Sequence, residues 1–105
     1  MKNLFSVALV FLMLFVSCAS SHKVTDASQR DGSSYDKAIV IEEKNESTGV
    51  KAEYNWLTLH YPGYISESQT LSYHNKHPFD ILNIKTSTGT PRKVYFDISN
   101  YFGKW

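Results

Sequence analysis

A chain of 105 residues with a single cysteine, Cys18, has no way to form an internal disulfide. Whatever it folds into must be held by a packed core and hydrogen bonds alone, unlike the small secreted domains that depend on several disulfides. The position of that cysteine narrows the choice further. Met1-Lys2-Asn3 is a short basic start, Leu4 through Val16 is an apolar run interrupted by Ser6, and Phe15-Val16-Ser17-Cys18 closes it. The run is shorter than the roughly 20 apolar residues a transmembrane helix needs. It has the layout of a secretory signal peptide: charged start, short apolar stretch, small residues at the exit. Without residues 1–17 there remain roughly 88 residues, enough for one small domain.

Phe15-Val16-Ser17-Cys18 resembles the lipobox of bacterial lipoproteins, in which a small residue precedes a cysteine that is lipidated and becomes the mature N-terminus. Val16 and Ser17 fit that pattern, and Phe15 stands where leucine is usual. The resemblance implies cleavage before Cys18, lipidation at Cys18 and attachment to a membrane through acyl chains. Ala19, in place of the aspartate associated with inner-membrane retention, implies, for a cell with two membranes, placement at the outer membrane, facing the periplasm. The competing readings are an uncleaved anchor and ordinary cleavage near Ala19-Ser20-Ser21. The segments Asp31 to Ala38 and Tyr95 to Lys104 also resemble small uncharacterised envelope lipoproteins, a likeness that carries no activity with it. In such a setting Asn45-Glu46-Ser47 is a chance match to a glycosylation acceptor.

Charge excludes two classes of partner. Lys2 leaves with the signal, so ten acidic residues then balance ten Lys and Arg. A neutral chain without a basic run has no electrostatic footprint for nucleic acid. It also lacks the polybasic cluster that holds a protein to anionic lipid, so the anchor falls to acyl chains, of which stable attachment requires more than one signal.

Residues 18–35, rich in Ser, Asp, Lys and Gln, read as a lipidated cysteine followed by a flexible tether. Residues 36–105 read as one small α+β domain. Ala38-Ile39-Val40-Ile41 is a β-branched run, hence a first strand. Val50, Tyr54, Leu57 and Tyr61 form an apolar stripe at helical spacing, capped by Ser47 or Thr48 and ended by Pro62-Gly63. Three strands follow, over Gln69–Tyr73, Phe79–Lys85 and Arg92–Ile98. To pair Leu82 and Ile84 with Val94 and Phe96 on one face, the last two need an odd loop, which Ser87-Thr88-Gly89 supplies with Gly89 in the left-handed position. The order β-α-β-β-β predicts one helix packed on a mainly antiparallel four-stranded sheet. The place of the first strand in that sheet stays open.

No catalytic, cofactor or metal signature emerges. His74 and His77 frame Asn75-Lys76, and with a distant His60 they fall short of the four ligands of a structural zinc site; an exposed turn is the simpler reading. Asp80 is in phase with Leu82, whereas Asp97 is out of phase with Phe96, so the two carboxylates should point to opposite faces. Glu42 and Glu43 likewise diverge. Ser66, Ser68, Ser72 and Ser99 lack a G-x-S-x-G setting, although triad members need not be close in sequence. The five glycines are dispersed and form no phosphate loop. Tyr54, Trp56, Tyr61 and Tyr64 cluster around the helix, and Tyr101, Phe102 and Trp105 close the chain; in so small a domain they are read as core. Ser99-Asn100 should turn the final segment back onto the fold.

These readings favour a non-enzymatic envelope lipoprotein that uses no cofactor, is attached to the membrane through its N-terminal lipid, and is presented for binding to or assembly with an envelope protein. The alternatives are an inhibitor or immunity-type protein acting on an envelope enzyme or toxin, and a small enzyme or metal-binding protein. An exposed aromatic or strand-edge patch would mark the first. A concave pocket with convergent polar groups would mark the last.

Overall fold

A computed structural model describes residues 27–105. The signal-peptide and lipidation readings, Cys18 among them, lie outside the described residues. Within them, one helix packs against a four-stranded mixed sheet. The elements run β1 (Ile39–Val40), α1 (Glu46–His60), β2 (Ile65–His74), β3 (His77–Lys85) and β4 (Pro91–Asp97). In space the strands lie β1-β4-β3-β2. The β2–β3 and β3–β4 pairs are antiparallel. β1 is a parallel edge strand on β4, with Ile39 opposite Phe96 and Val40 opposite Asp97.

The register of the β3–β4 hairpin is the one its pattern demands. Leu82 faces Val94 and Ile84 faces Arg92. Thr86 N donates to Thr90 O at 2.9 Å, closing a loop of Ser87-Thr88-Gly89 in which Gly89 has φ of 87°. The β2–β3 connection is tighter. Asn75 and Lys76 both have positive φ, 52° and 67°, the conformation of a type I′ turn that matches the twist of its strands. The histidines that flank it are therefore turn shoulders.

The helix begins earlier than its apolar stripe suggests. Asn45 is the N-cap, its Oδ1 accepting from Thr48 N at 3.1 Å, where Ser47 or Thr48 was expected to cap. Asparagine is among the strongest capping residues, and the polar first turn carries no periodicity to reveal it. The buried face is also rotated from the predicted stripe: Gly49, Glu53 and Leu57 are buried, whereas Tyr54 is exposed and Leu59 more so. A glycine and a glutamate at inward positions are invisible to a count of apolar residues. Gly49 is inward because the ring of Tyr101 lies directly on its backbone; a Cβ there would overlap that ring. Gly49→Ala should therefore lower stability by about 1–3 kcal/mol through overpacking, even though alanine is the better helix former by up to about 1 kcal/mol. A denaturant melt of the variant measures which effect wins.

The core under the helix consists of Ile41, Leu57, Leu82, Ile84, Val94, Phe96, Ile98 and Tyr101, with Trp56 packed edge-on to Phe96. The opposite face of β3 is covered too, since Phe79 and Ile81 are buried. The ring of Tyr35 lies edge-on to Phe79 and Tyr95 and stacks on His74. This moves the boundary of the ordered unit. Residues 30–35, assigned to the tether by composition, are bound to the sheet: Tyr95 N donates to Gly32 O at 2.7 Å and Arg30 Nη1 to Ala38 O at 3.1 Å. A polar stretch can dock through one aromatic and a few backbone hydrogen bonds, which composition does not register.

The two edges of the sheet are treated differently. β4 is shielded by β1 and by the Gly32 turn. β2 runs for ten residues with an irregularity between Ser66 and Ser68, is exposed along nearly all its length, and among the described residues has no strand beyond it.

Candidate functional site

Three polar constellations and one surface compete for a functional role. The most buried constellation joins Glu53 of α1, Asp80 of β3 and Tyr101 beyond β4. Glu53 and Tyr101 are each 1% exposed and Asp80 is 6% exposed. The Tyr101 hydroxyl donates to Glu53 Oε2 and lies 3.3 Å from Asp80 Oδ2. Burial, and then a hydrogen bond with the Asp80 side chain, push the Glu53 carboxyl up to about 9, against the lowering effect of the Tyr101 hydroxyl. Glu53 is thus a neutral acid at pH 7. Burial also raises Tyr101 further above the ordinary tyrosine range, with its hydrogen bond to Glu53 adding to the effect.

The strand phase predicts Asp80 and Asp97 on opposite faces. That holds: Asp80 sits opposite Phe96 on the helix side, and Asp97 sits opposite Phe79 on the other. The partner of Asp80 comes instead from the helix. The missed signal was spacing: Glu53 lies four residues from both Gly49 and Leu57, on the face those two share. Chemically, the group resembles an acid pair with a phenolic donor. Catalysis by two carboxyl groups needs both around one substrate. A neighbouring cavity of about 200 Å³ reaches Asp80 and Tyr101 but is not lined by Glu53.

The second constellation is a serine, a histidine and an aspartate. Ser99 Oγ donates to Asp97 Oδ1 at 2.6 Å, and His77 Nδ1 lies 3.1 Å from Ser99 Oγ. The serine is in the middle. A nucleophilic triad places the histidine there, so that it takes the serine proton while the carboxylate orients it. Here the hydroxyl proton is committed to Asp97, which also accepts from Ser99 N at 3.0 Å. The group fixes the turn that brings Tyr101 inward, and Asn100 Nδ2 adds a hydrogen bond to Ile41 O at 2.9 Å.

The third is a cleft of about 490 Å³ lined by Ser28, Arg30, Ile39, Val40, Glu42, Trp56 and His60. His60 stacks on Trp56, and its Nδ1 lies 2.9 Å from Trp56 O. Arg30 is held by the Ala38 carbonyl. Two of the polar groups lining the cleft are thus engaged with backbone. His60, His74 and His77 each go to a different neighbour (Trp56, Tyr35 and Ser99), and among the described residues no group of three or more His, Cys, Asp or Glu could hold a metal ion. Also among the described residues, no helix is long and apolar enough to cross a membrane.

The surface is the β2 edge with its neighbours. Ile65 is 63% exposed, Leu71 47% and Tyr73 60%. Phe102, half out of the core, lies edge-on to Tyr73. The reading of the closing aromatics as core therefore holds for Tyr101 and fails for Trp105, which is almost fully exposed. The chain turns sharply at Ile98, whose carbonyl accepts from both Tyr101 N and Phe102 N. Tyr101 goes inward, and the residues after it are carried past the edge of the core. Tyr35 Oη and Ser72 Oγ, 2.7 Å apart, tie β2 to the N-terminal turn on the far face. No protein-family model, no curated protein and no solved structure matches this chain.

Proposed function

We propose that this chain is a bacterial envelope lipoprotein, anchored through lipid on Cys18 and acting as a non-enzymatic binding or assembly module. The observation that carries the binding half of this reading is the open β2 edge. A long exposed edge strand is a template for pairing with another chain, and proteins that do not use one blunt it with charged residues, proline, bulges, shortness or a cover; the one charge and the irregularity of β2, at Ser66 to Ser68, are confined to its first four residues. β2 has neither lysine nor proline within Ile65–His74, and it displays Ile65, Leu71 and Tyr73. Addition of a strand to such an edge is a recurring mode of protein recognition, with backbone hydrogen bonds supplying affinity and alternate side chains supplying selectivity. The anchoring half rests on Phe15-Val16-Ser17-Cys18. The engaged polar groups of the three constellations favour this reading over an enzyme.

The test uses the full chain expressed in a bacterium and extracted from membranes. Intact mass should correspond to a chain beginning at Cys18 plus acyl groups. A species beginning at His22 without lipid would remove the anchor from the proposal. Pull-down with the extracted protein should recover an associated chain, and Leu71→Lys should lose it.

A further inference from the structure

We infer that the β2 edge pairs with β2 of a second copy, antiparallel about Leu71, joining two four-stranded sheets into one of eight strands. This deepens the reading of β2 as a binding edge and rests on it.

The geometry begins at the turn. In a type I′ hairpin the residues flanking the two-residue loop form a hydrogen-bonded pair, here His74 and His77. Such pairs alternate along an antiparallel ladder. His74, Ser72, Thr70 and Ser68 therefore bond to β3, while the backbone N–H and C=O of Tyr73, Leu71 and Gln69 point to the open side. Bonds across the rest of the sheet agree with this alternation. Ile98 N reaches Pro78 O, and Pro78 is the residue opposite Tyr73. A two-fold axis through Leu71 matches the outward groups of one copy to those of the other. Leu71 then faces Leu71, Gln69 faces Tyr73 and Thr70 faces Ser72.

Side chains and charge favour a second copy as the occupant. Gln69, Leu71 and Tyr73 share the helix-side face, so the pairing covers exposed apolar surface there. The strand carries one carboxylate, Glu67, near one end, and the turn at its other end carries Lys76, which is exposed. Antiparallel pairing about Leu71 sets Glu67 of each copy beside the Asn75-Lys76 turn of the other. Opposite charges meet twice, and no like charges face each other along the strand. Glu67 is also 3.6 Å from Lys85 of its own copy, so Lys76 of the second copy joins an existing ion pair. The irregularity falls at Glu67, just beyond the paired stretch Gln69 to Tyr73, so Glu67 meets the other copy's turn by proximity and not in register. An interface of this kind is isologous and closes at two copies.

The experiment is disulfide trapping in native membranes, with Leu71→Cys, Gln69→Cys and Tyr73→Cys introduced singly into the full chain. A residue on the axis meets its own counterpart at the roughly 5.5 Å Cα separation of a hydrogen-bonded pair, which a disulfide accepts. Leu71→Cys should give a reductant-sensitive species of twice the mass. Gln69→Cys or Tyr73→Cys alone should give at least tenfold less, because each faces the other position. Expressed together in one chain, those two should restore the dimer. Equal trapping at all three positions, or none at 71, overturns the inference. Leu71→Pro provides a second measurement. Its lost N–H points outward, so the β2–β3 ladder is spared; the dimer seen by sedimentation in detergent should fall to monomer with the far-UV circular dichroism of the fold retained. A dimer that survives this substitution also overturns the inference. If position 71 does not trap while Leu71→Lys still abolishes capture of a different protein, self-pairing is wrong and the binding edge stands.

Discussion

Replacing Tyr101 with alanine should leave the chain unfolded at room temperature. The ring is 1% exposed and rests on the backbone of Gly49 within the cluster of Leu57, Leu82 and Phe96. Truncating a buried large aromatic costs about 3–5 kcal/mol, and a core of this size leaves only about 3–5 kcal/mol in total. The substitution also deprives Glu53 and Asp80 of a hydroxyl partner, and a buried polar group without one costs about 1–3 kcal/mol more. Far-UV circular dichroism and a denaturant titration provide the check. Tyr101→Phe separates the two contributions, since it keeps the ring and removes the hydroxyl. It should fold, with a lower midpoint and an unchanged denaturant dependence. A Tyr101→Ala variant with a cooperative transition near that of the parent would show that the ring is not the keystone of this core.

The second large effect is on pH. Burial raises the Glu53 carboxyl to about 9 in the folded chain, from an ordinary value of 4.5. Between those values the folded chain holds a proton that the unfolded chain has released. Stability then falls as pH rises. The contribution is fully present below the unfolded value and is lost as the pH climbs to the folded one. The slope approaches about 1.4 kcal/mol per pH unit at most, which in a domain this small corresponds to several degrees of melting temperature per unit. The groups that face Glu53 are Asp80 from β3, Tyr101 from the closing turn and Glu46 from its own helix; the Asp80 and Glu46 charges add to the rise. Asp31 lies elsewhere and acts in the opposite sense: a hydrogen bond from the Ser33 hydroxyl lowers it, so its small contribution is lost only in acid. Melting temperatures measured from pH 5.5 to 8.5 should therefore decline by roughly 15–30 degrees. Glu53→Gln, which keeps the shape and cannot ionise, should flatten that decline. A profile that is flat in the parent, or equally steep in Glu53→Gln, would assign the pH dependence to other groups.

Much of the fold was legible because its signals are local. The β3–β4 register follows from the phase of Leu82, Ile84, Val94 and Phe96 and from a glycine in the only loop parity that suits them. The opposed faces of Asp80 and Asp97 follow from the same phase. What escaped was set by contacts distant in sequence. Glu53 is buried because Asp80 and Tyr101 meet it there, and nothing within a helical turn of Glu53 announces either. Tyr35 belongs to the domain through rings on three different strands, His74, Phe79 and Tyr95. The helix start escaped for a different reason: Asn45 acts through one side-chain oxygen, and its first turn, Glu46 to Gly49, offers no apolar repeat. The exposed length of β2 was missed because Leu71 and Tyr73 alternate like half-buried residues, and only the position of the helix decides that they are not covered.

The parallel pairing of Ile39 with Phe96 has a consequence for the order in which this molecule can come into being. A strand near the beginning of the domain waits for the strand nearest its end, and Glu53 waits for Tyr101. Closing such long loops precedes the contacts that reward it. A ribosome delivering this chain therefore releases nothing that can complete its core until Tyr101 has emerged. Until then the polypeptide lacks its core, and its folding is deferred to the moment residue 101 becomes available to Glu53 and Gly49.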